Sequence, residues 1–537
     1  MVLVGDRVEV GQERCTIRWE GVVGDTGEWL GVEWDREGRG KHDGEHNNIR
    51  YFTPVRNGNN CSFLRRGKVT QLGIGLVEAV KDRYGVVEGK TAGVEQDKIM
   101  DLQAEIGARF VEVVGFDKVN KEQSQTRGLK TVSVRNMGVM GRGELQNVGS
   151  ELPKLRDLDL SESLVSNWTE VSMLCNQLKL HTLDLSYNLL PIETIDNTVK
   201  NMDTLKHLVV GHMLYSGYTW SDIVHLAIHL PCLSVLQIHN NSISSLSSFD
   251  PSFFSALVEL DLDGNNLTSW TDVEHLSELP QLTHLRLNGN QLTEIAPARG
   301  SFKQLRSLQL SGNCIKTWDS VGMLDRLQLA ELRMRSNPVN SICKDEETAR
   351  QLIIARVSSL TALNGTQITQ TERKWAEIDY LKTYGQLWLG LAKLEDTVSR
   401  EQATKEFLDK HNRYDKIVEM HGEPEAGDGV KVDTTLKASL VKLKVRSPDV
   451  IGSAETVKKV PTSMSVAKLR ALLHRIYRDQ AGGSRLKISL VSSANKEQEV
   501  QMDNDMREVS FYSVSEGDTL LVRWGQPSIK QTTVTDL

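Results

Sequence analysis

The chain has 537 residues and a mass of 60.1 kDa, enough for three or four domains of about 150 residues each. Its 39% hydrophobic and 25% charged residues fit a folded globular protein, and no apolar run approaches the roughly 18–20 residues of a membrane span. A net charge of -7 and a pI near 6.1 argue against nucleic-acid binding, and six scattered cysteines without Cys-x-x-Cys spacing argue against a zinc ribbon and a disulfide scaffold. The start, MVLVGDRVEVGQ, lacks the pattern of a signal peptide, so the expected location is a reducing compartment, the cytoplasm, without a membrane partner.

Residues 1–75 read as a small all-β barrel-like module. Short runs such as Arg7–Val10, Cys15–Trp19 and Trp29–Trp34 alternate with glycine-marked turns. Residues 1–35 hold three basic and eight acidic residues, a net of -5, whereas 36–68 hold eight basic and three acidic, a net of +5. Gly38-Arg39-Gly40-Lys41-His42-Asp43-Gly44 places a lysine among glycines, where backbone and ammonium can approach a ligand closely. Trp29, Trp34 and Phe63 are available as flat apolar walls. A basic, aromatic, glycine-lined groove suits a short acidic peptide ending in a carboxylate.

The sequence from Gly27 to Asp35, then Gly40-Lys41-His42-Asp43-Gly44, Arg50-Tyr51-Phe52 and Ser62-Phe63-Leu64-Arg65, resembles a CAP-Gly domain in order and spacing. The resemblance implies recognition of acidic tails ending Glu-Glu-Tyr, as in α-tubulin, with contact roles for Trp29, Lys41, His42, Phe63, Arg65 and Lys68. His42 stands where most of that family has Asn, and its charge varies near neutral pH.

Residues 76–125 connect to a periodic array over 126–370. Leu129-x-x-Val132-x-Val134 opens a pattern that returns eight more times, ending at Leu329-x-x-Leu332-x-Met334, in steps of 23 to 28 residues. Asn188, Asn241, Asn265, Asn290, Asn313 and Asn337 follow three residues behind, where a buried amide can pair with backbone. This is the pattern of leucine-rich repeats, an α/β solenoid with a parallel sheet on its concave face. The 205–210 repeat lacks the Asn and its successor comes 28 residues later, which predicts a local irregularity; 352–365 reads as a capping unit. Between the core leucines, Asp159, Asp184 and Asp261 in earlier repeats and Arg286 and Arg333 in later ones should face the concavity as a polarised surface that orients a partner.

Residues 371–435 read as a helical segment with a linker at Glu423–Gly429. Residues 436–524 show strand, turn, strand, helix and further strands, with Ser465 as helix cap, in the order of a ubiquitin-like α+β roll, with a net charge of +4 over 438–524. After Trp524 comes a single glycine, Gly525, within a tail of 525–537. The module is therefore expected to act as a fixed docking domain and not as a conjugated modifier.

Chemical motifs do not point to an enzyme. Gly85–Thr91 has three residues between its glycines where a phosphate loop needs four, the thirteen histidines lack metal spacing, and no nucleophile–base pair is visible, so neither a cofactor nor a metal is expected. The module order resembles that of the tubulin-folding cofactor E family. The resemblance implies a chaperone that binds α-tubulin, assembles the αβ heterodimer with tubulin cofactors B, C and D, can dissociate it, and docks partners or the degradation machinery through its ubiquitin-like end. The alternative is a microtubule plus-end adaptor, which ordinarily carries a long heptad coiled coil; no sustained heptad run is present.

Overall fold

The computed structural model describes residues 3–11, 13–24, 27–70, 73–85, 126–139, 147–215, 217–394, 396–424, 440–449, 455–477, 486–493, 499–505, 507–512 and 514–524. The glycine–lysine stretch at 86–91, most of the connecting segment, most of the linker and the tail from Gly525 lie outside them. The chain forms two compact bodies, residues 1–350 with 357–368, and residues 351–356 with 369–537.

The first body begins with β1 (Arg7–Val10), β2 (Glu13–Val22), β3 (Glu28–Trp34), the hairpin β4 (Glu45–His46) and β5 (Ile49–Arg50), and β6 (Cys61–Leu64). The main sheet has the order β1-β2-β3-β6, all antiparallel. Val8, Cys15, Ile17, Leu30, Val32 and Trp34 form its core. The alternation that sends Leu30 and Val32 inward also takes Trp34, whose indole N–H donates to Ser62 Oγ at 3.0 Å. Trp34 is therefore a core residue and not the groove wall expected from sequence.

The repeats follow as three-residue strands: β7 (Thr131–Ser133), β8 (Asp157–Asp159), β9 (Thr182–Asp184), β10 (His207–Val209), β11 (Val235–Gln237), β12 (Glu259–Asp261), β13 (His284–Arg286), β14 (Ser307–Gln309) and β15 (Glu331–Arg333). They pair in parallel, one per predicted repeat, each with its central apolar residue buried. The six asparagines are buried and form a ladder. Asn265, for example, donates to Ile238 O and Leu262 O and accepts from Asn241 N–H and Ile243 N–H. Helices starting at Trp168, Trp220, Trp270 and Trp318 occur at every second repeat, behind caps Asn167, Thr219, Ser269 and Thr317. At the leading end lies the helix Leu76–Tyr84, whose Tyr84 hydroxyl accepts Ser133 N–H at 2.9 Å. At the far end β16 (Ala362–Leu363) pairs in parallel with β15, then turns through Asn364-Gly365, both at positive φ, into the antiparallel β17 (Thr366–Gln367).

The second body contains helices Gln370–Ala392, Thr397–Lys410 and Tyr414–His421 around Tyr380, Trp388, Phe407, His411 and Tyr414. Buried Glu377 pairs with Arg413 at 3.2 Å and with His421 at 2.9 Å. The Tyr380 hydroxyl and His411 Nδ1 share a hydrogen bond at 2.7 Å. Burial, then the charges of Arg356 and Lys410, push the His411 pKa from 6.5 down to about 4. The unfolded chain thus binds the extra proton between those values. Stability of this body is expected to be full above pH 6.5 and to fall as pH drops from 6.5 toward 4. Thermal unfolding across that window should show a slope that His411→Phe flattens.

The remaining strands, β18 (Leu440–Arg446), β19 (Thr456–Pro461), β20 (Leu486–Val491), β21 (Glu499–Gln501) and β22 (Thr519–Trp524), take the order β19-β18-β22-β20-β21, with β18 and β22 parallel and the helix Val466–Ile476 packed against them. This is a ubiquitin-like roll. Ser465 accepts Lys468 N–H as the expected cap. Its core contains a residue from outside the module: Trp375 of the helix Gln370–Ala392 is buried among Leu443, Val445, Leu469 and Tyr512, with Ile378 packed beside it and Glu372 3.8 Å from Arg507. The helical segment is therefore part of this module's packing as well as a connector. Among the described residues no helix is long and apolar enough to cross a membrane.

Candidate peptide groove

Across β2, β3 and β6 the register sets Trp19, Gly31 and Phe63 side by side. Gly31 has no side chain, and Phe52 fills the space: a Cβ there would lie 2.3 Å from the Phe52 ring. Phe63 is the hub. Its ring centroid lies 5.7 Å from Trp19, 5.2 Å from Tyr51, 6.0 Å from Phe52, 6.1 Å from His46 and 4.7 Å from the stacked His42. Phe52 is buried, whereas Trp19, Tyr51, Phe63 and His42 remain half-exposed, so the cluster is an open apolar floor.

The glycine loop joins this floor at β6. Lys41 N–H and His42 N–H both donate to Cys61 O, at 2.6 and 3.2 Å, and Cys61 N–H donates to His42 O at 2.9 Å. His42 Nδ1 accepts Gly44 N–H at 3.0 Å, which leaves the imidazole proton on Nε2. That Nε2 is buried and has no partner among the described residues. Burial, reinforced by His46 and opposed by Asp43, holds His42 below its ordinary pKa, so at neutral pH it is an uncharged, oriented donor. Lys41 is exposed beside it and makes no ion pair among the described residues.

Alternation puts Trp29 and Arg65 on the same sheet face as Gly31 and Phe63. The Arg65 guanidinium lies 3.9 Å from the Trp29 ring and donates to Glu28 O at 2.9 Å. Lys68 is exposed on the turn Arg66–Lys68, while its neighbour Arg66 pairs with Glu20. The structure thus joins Lys41, His42 and Phe63 into one cluster and Trp29 with Arg65 into another on the same face, with Lys68 beyond them. Sequence reading quoted Tyr51 and Phe52 as part of the motif without a contact role, and missed Trp19 and His46. The aromatic density around Gly31 was the available signal.

On the concave repeat face the predicted charges are largely engaged. Asp159 accepts from Ser161 and from Ser133 Oγ, Asp184 from Ser186 N–H at 2.8 Å, and Asp261 from Asp263 N–H at 2.9 Å. Asp261 is buried, which raises its pKa. Arg286 lies 2.8 Å from Glu259 and 3.6 Å from Asp261, so it neutralises its own neighbours. Arg333 is exposed. Among the described residues no group of three or more His, Cys, Asp or Glu could hold a metal ion.

Comparison with known proteins places these features. The CAP-Gly domain model matches residues 4–69 and a leucine-rich-repeat model matches 280–322. The chain is 36% identical to "Tubulin-specific chaperone E" of Bos taurus over 97% of its own length and 98% of that protein's. It is 30% identical to "Tubulin-folding cofactor E" of Arabidopsis thaliana over 94% of each. Among solved structures, the C-terminal ubiquitin-like domain of mouse tubulin-specific chaperone E is 35% identical, covering 17% of this chain and 91% of that one, with a TM-score of 0.15.

Proposed function

The chain belongs to the tubulin-specific chaperone E family, and from that premise we propose that it captures α-tubulin by the acidic tail in the groove around His42. In this reading it assembles the αβ heterodimer with tubulin cofactors B, C and D and can also take the heterodimer apart. The coarser statement, a chaperone of tubulin, rests on the family; the tail-binding step rests on one observation, the buried His42 Nε2–H that faces no acceptor of its own beside the exposed Lys41. A terminal carboxylate supplies that acceptor and meets the lysine charge, while a terminal aromatic ring lies on the floor centred on Phe63. Arg65, braced on Trp29, and Lys68 then meet acidic residues further back along the tail. The concave face orients the tubulin body, and the ubiquitin-like roll docks partners in the chaperone complex or the degradation machinery. No step is catalytic, and the site of action is the cytoplasm and its microtubule cytoskeleton.

The test uses a fluorescent acidic peptide ending Glu-Glu-Tyr and its C-terminally amidated twin, with the full chain. Affinity should fall on amidation and with added salt, because exposed charges are screened over about 8 Å at physiological ionic strength. It should stay flat from pH 8 to 7.5, because burial holds His42 below its ordinary pKa and so neutral there. Size exclusion with αβ-tubulin should show the heterodimer split or sequestered. Binding that ignores both amidation and salt refutes the tail reading, and co-sedimentation with polymer without splitting favours an adaptor.

A further inference from the structure

The interior gap in the asparagine ladder, between Asn188 and Asn241, is also a place where the small β domain touches the array. In the repeat 205–210 the ladder position is Met213, and neighbours supply its bonds: Met213 N–H reaches Asn241 Oδ1 at 3.1 Å and Leu214 N–H reaches Asn188 O at 3.0 Å. The frame is preserved, and the extra length forms an excursion that includes 211–215 and Gly217. Tyr215 sits in it at φ +69°, a region a bulky side chain rarely adopts, and Gly217 at +70° is so close that a Cβ would meet Asn241 O at 2.7 Å. Such backbone persists where surrounding contacts hold it.

The contact is specific. The Tyr215 ring lies 4.2 Å from the Arg56 guanidinium. Arg56 belongs to a buried cluster around Glu33, which is fully buried and receives Arg18 Nε at 2.8 Å, Val55 N–H at 3.1 Å and Arg56 N–H at 3.0 Å. The Arg56 guanidinium also donates to Trp34 O. The Tyr215 hydroxyl is buried without a hydrogen-bond partner among the described residues. Burial and the charges of Asp35 and Glu33 raise its pKa. The ring, not the hydroxyl, therefore makes the attachment. A second attachment lies at the first repeat, where Arg14 donates to the Asn136 side chain. Between the two runs a cleft lined by Arg7, Thr16 and Arg18 on one side and Asn167, Glu170 and Thr194 on the other.

We propose that the excursion at 211–215 is a latch and Tyr215 a positioning residue, which with Arg14–Asn136 fixes the peptide groove relative to the repeats. This rests on the tail reading above. Two attachments, at the first and fourth repeats, remove the swivel that one contact would leave. A client held by its tail is then presented to the repeat face at a defined distance, so the second contact forms as an intramolecular event at raised effective concentration. The latch lies outside the groove, so it sets affinity for whole tubulin and not for the tail alone.

The experiment compares Tyr215→Ala, Arg56→Ala and Tyr215→Phe in the full chain. Small-angle scattering and hydrogen exchange at 211–215 report the latch; the tail peptide and αβ-tubulin report binding. Both alanine variants should leave peptide affinity unchanged, increase the radius of gyration and exchange, and weaken tubulin binding about 10–100-fold, less than the roughly 10²–10⁴-fold lost when linked sites uncouple fully, because the two modules stay joined by the chain. Tyr215→Phe should match the parent, because the hydroxyl is unpartnered. Unchanged scattering and tubulin affinity in both alanine variants, or a phenylalanine variant as damaged as alanine, overturns the latch. Scattering and exchange read it whether or not the peptide binds, so failure of the tail reading is distinguishable. Arg56→Ala opens the same contact from the other side should Tyr215→Ala fail to fold.

Discussion

Gly40→Ala is expected to abolish tail-peptide binding. An added Cβ would stand 2.1 Å from Cys61 N and 2.2 Å from Asn60 C, and both are backbone atoms that cannot swing aside. The loop must leave β6, losing the Lys41 and His42 N–H bonds to Cys61 O and the Cys61 N–H bond to His42 O. At about 1 kcal/mol net each, these bonds amount to roughly 3 kcal/mol, and the lysine and imidazole are displaced with them. Lys41→Ala is the graded control. It leaves the loop in place and removes one charge-assisted contact worth about 1.5–3 kcal/mol, a loss of roughly 10–100-fold. Fluorescence anisotropy with the acidic peptide measures both. A Gly40→Ala protein that binds within tenfold of the parent would show that this loop does not form the groove.

The largest stability effect is expected at the ladder. Asn265→Ala removes an amide that serves four buried backbone groups: Ile238 O, Leu262 O, Asn241 N–H and Ile243 N–H. Ile238 O and Leu262 O keep second donors in the Asn241 and Asn290 amides, so the Asn241 and Ile243 N–H groups are the ones left unpaired. At about 1–3 kcal/mol each, the loss is about 2–6 kcal/mol, a large part of the stability of an ordinary domain. Because each repeat touches mainly its neighbours, the defect should also divide the array, giving two urea transitions where the parent gives one. A shift below about 1 kcal/mol, with a single transition, would contradict this account.

The repeats were legible because their core is written locally. A strand every 23 to 28 residues needs its leucines and asparagine in a fixed short window, and each of the nine windows became a strand. The glycine loop was legible for the same reason. What the sequence hid was long-range. Tyr215 and Arg56 are far apart along the chain, and neither carries a motif, although the irregularity containing Tyr215 was visible from spacing. Trp375 has the look of any apolar residue on a helix, and only the fold shows it in the core of a module that begins after residue 439. The acidic concave stripe was read as part of a polarised, partner-facing surface because spacing reveals direction and not partners. Asp159, Asp184 and Asp261 each spend an oxygen on the backbone N–H two residues on.

The antiparallel β17 has a further consequence. A parallel array ends in a row of unpaired N–H and C=O groups with the same register and spacing as its interior, which is a template for another copy to add to. By reversing direction through Asn364-Gly365, the chain gives its final edge a hydrogen-bond pattern that does not match the parallel array, and limits that edge to two exposed residues, Thr366 and Gln367. A second array approaching this end meets a mismatched ladder too short to nucleate stacking. The turn therefore guards the protein against growing into a filament, which matters for a molecule whose client is itself a subunit built to polymerise.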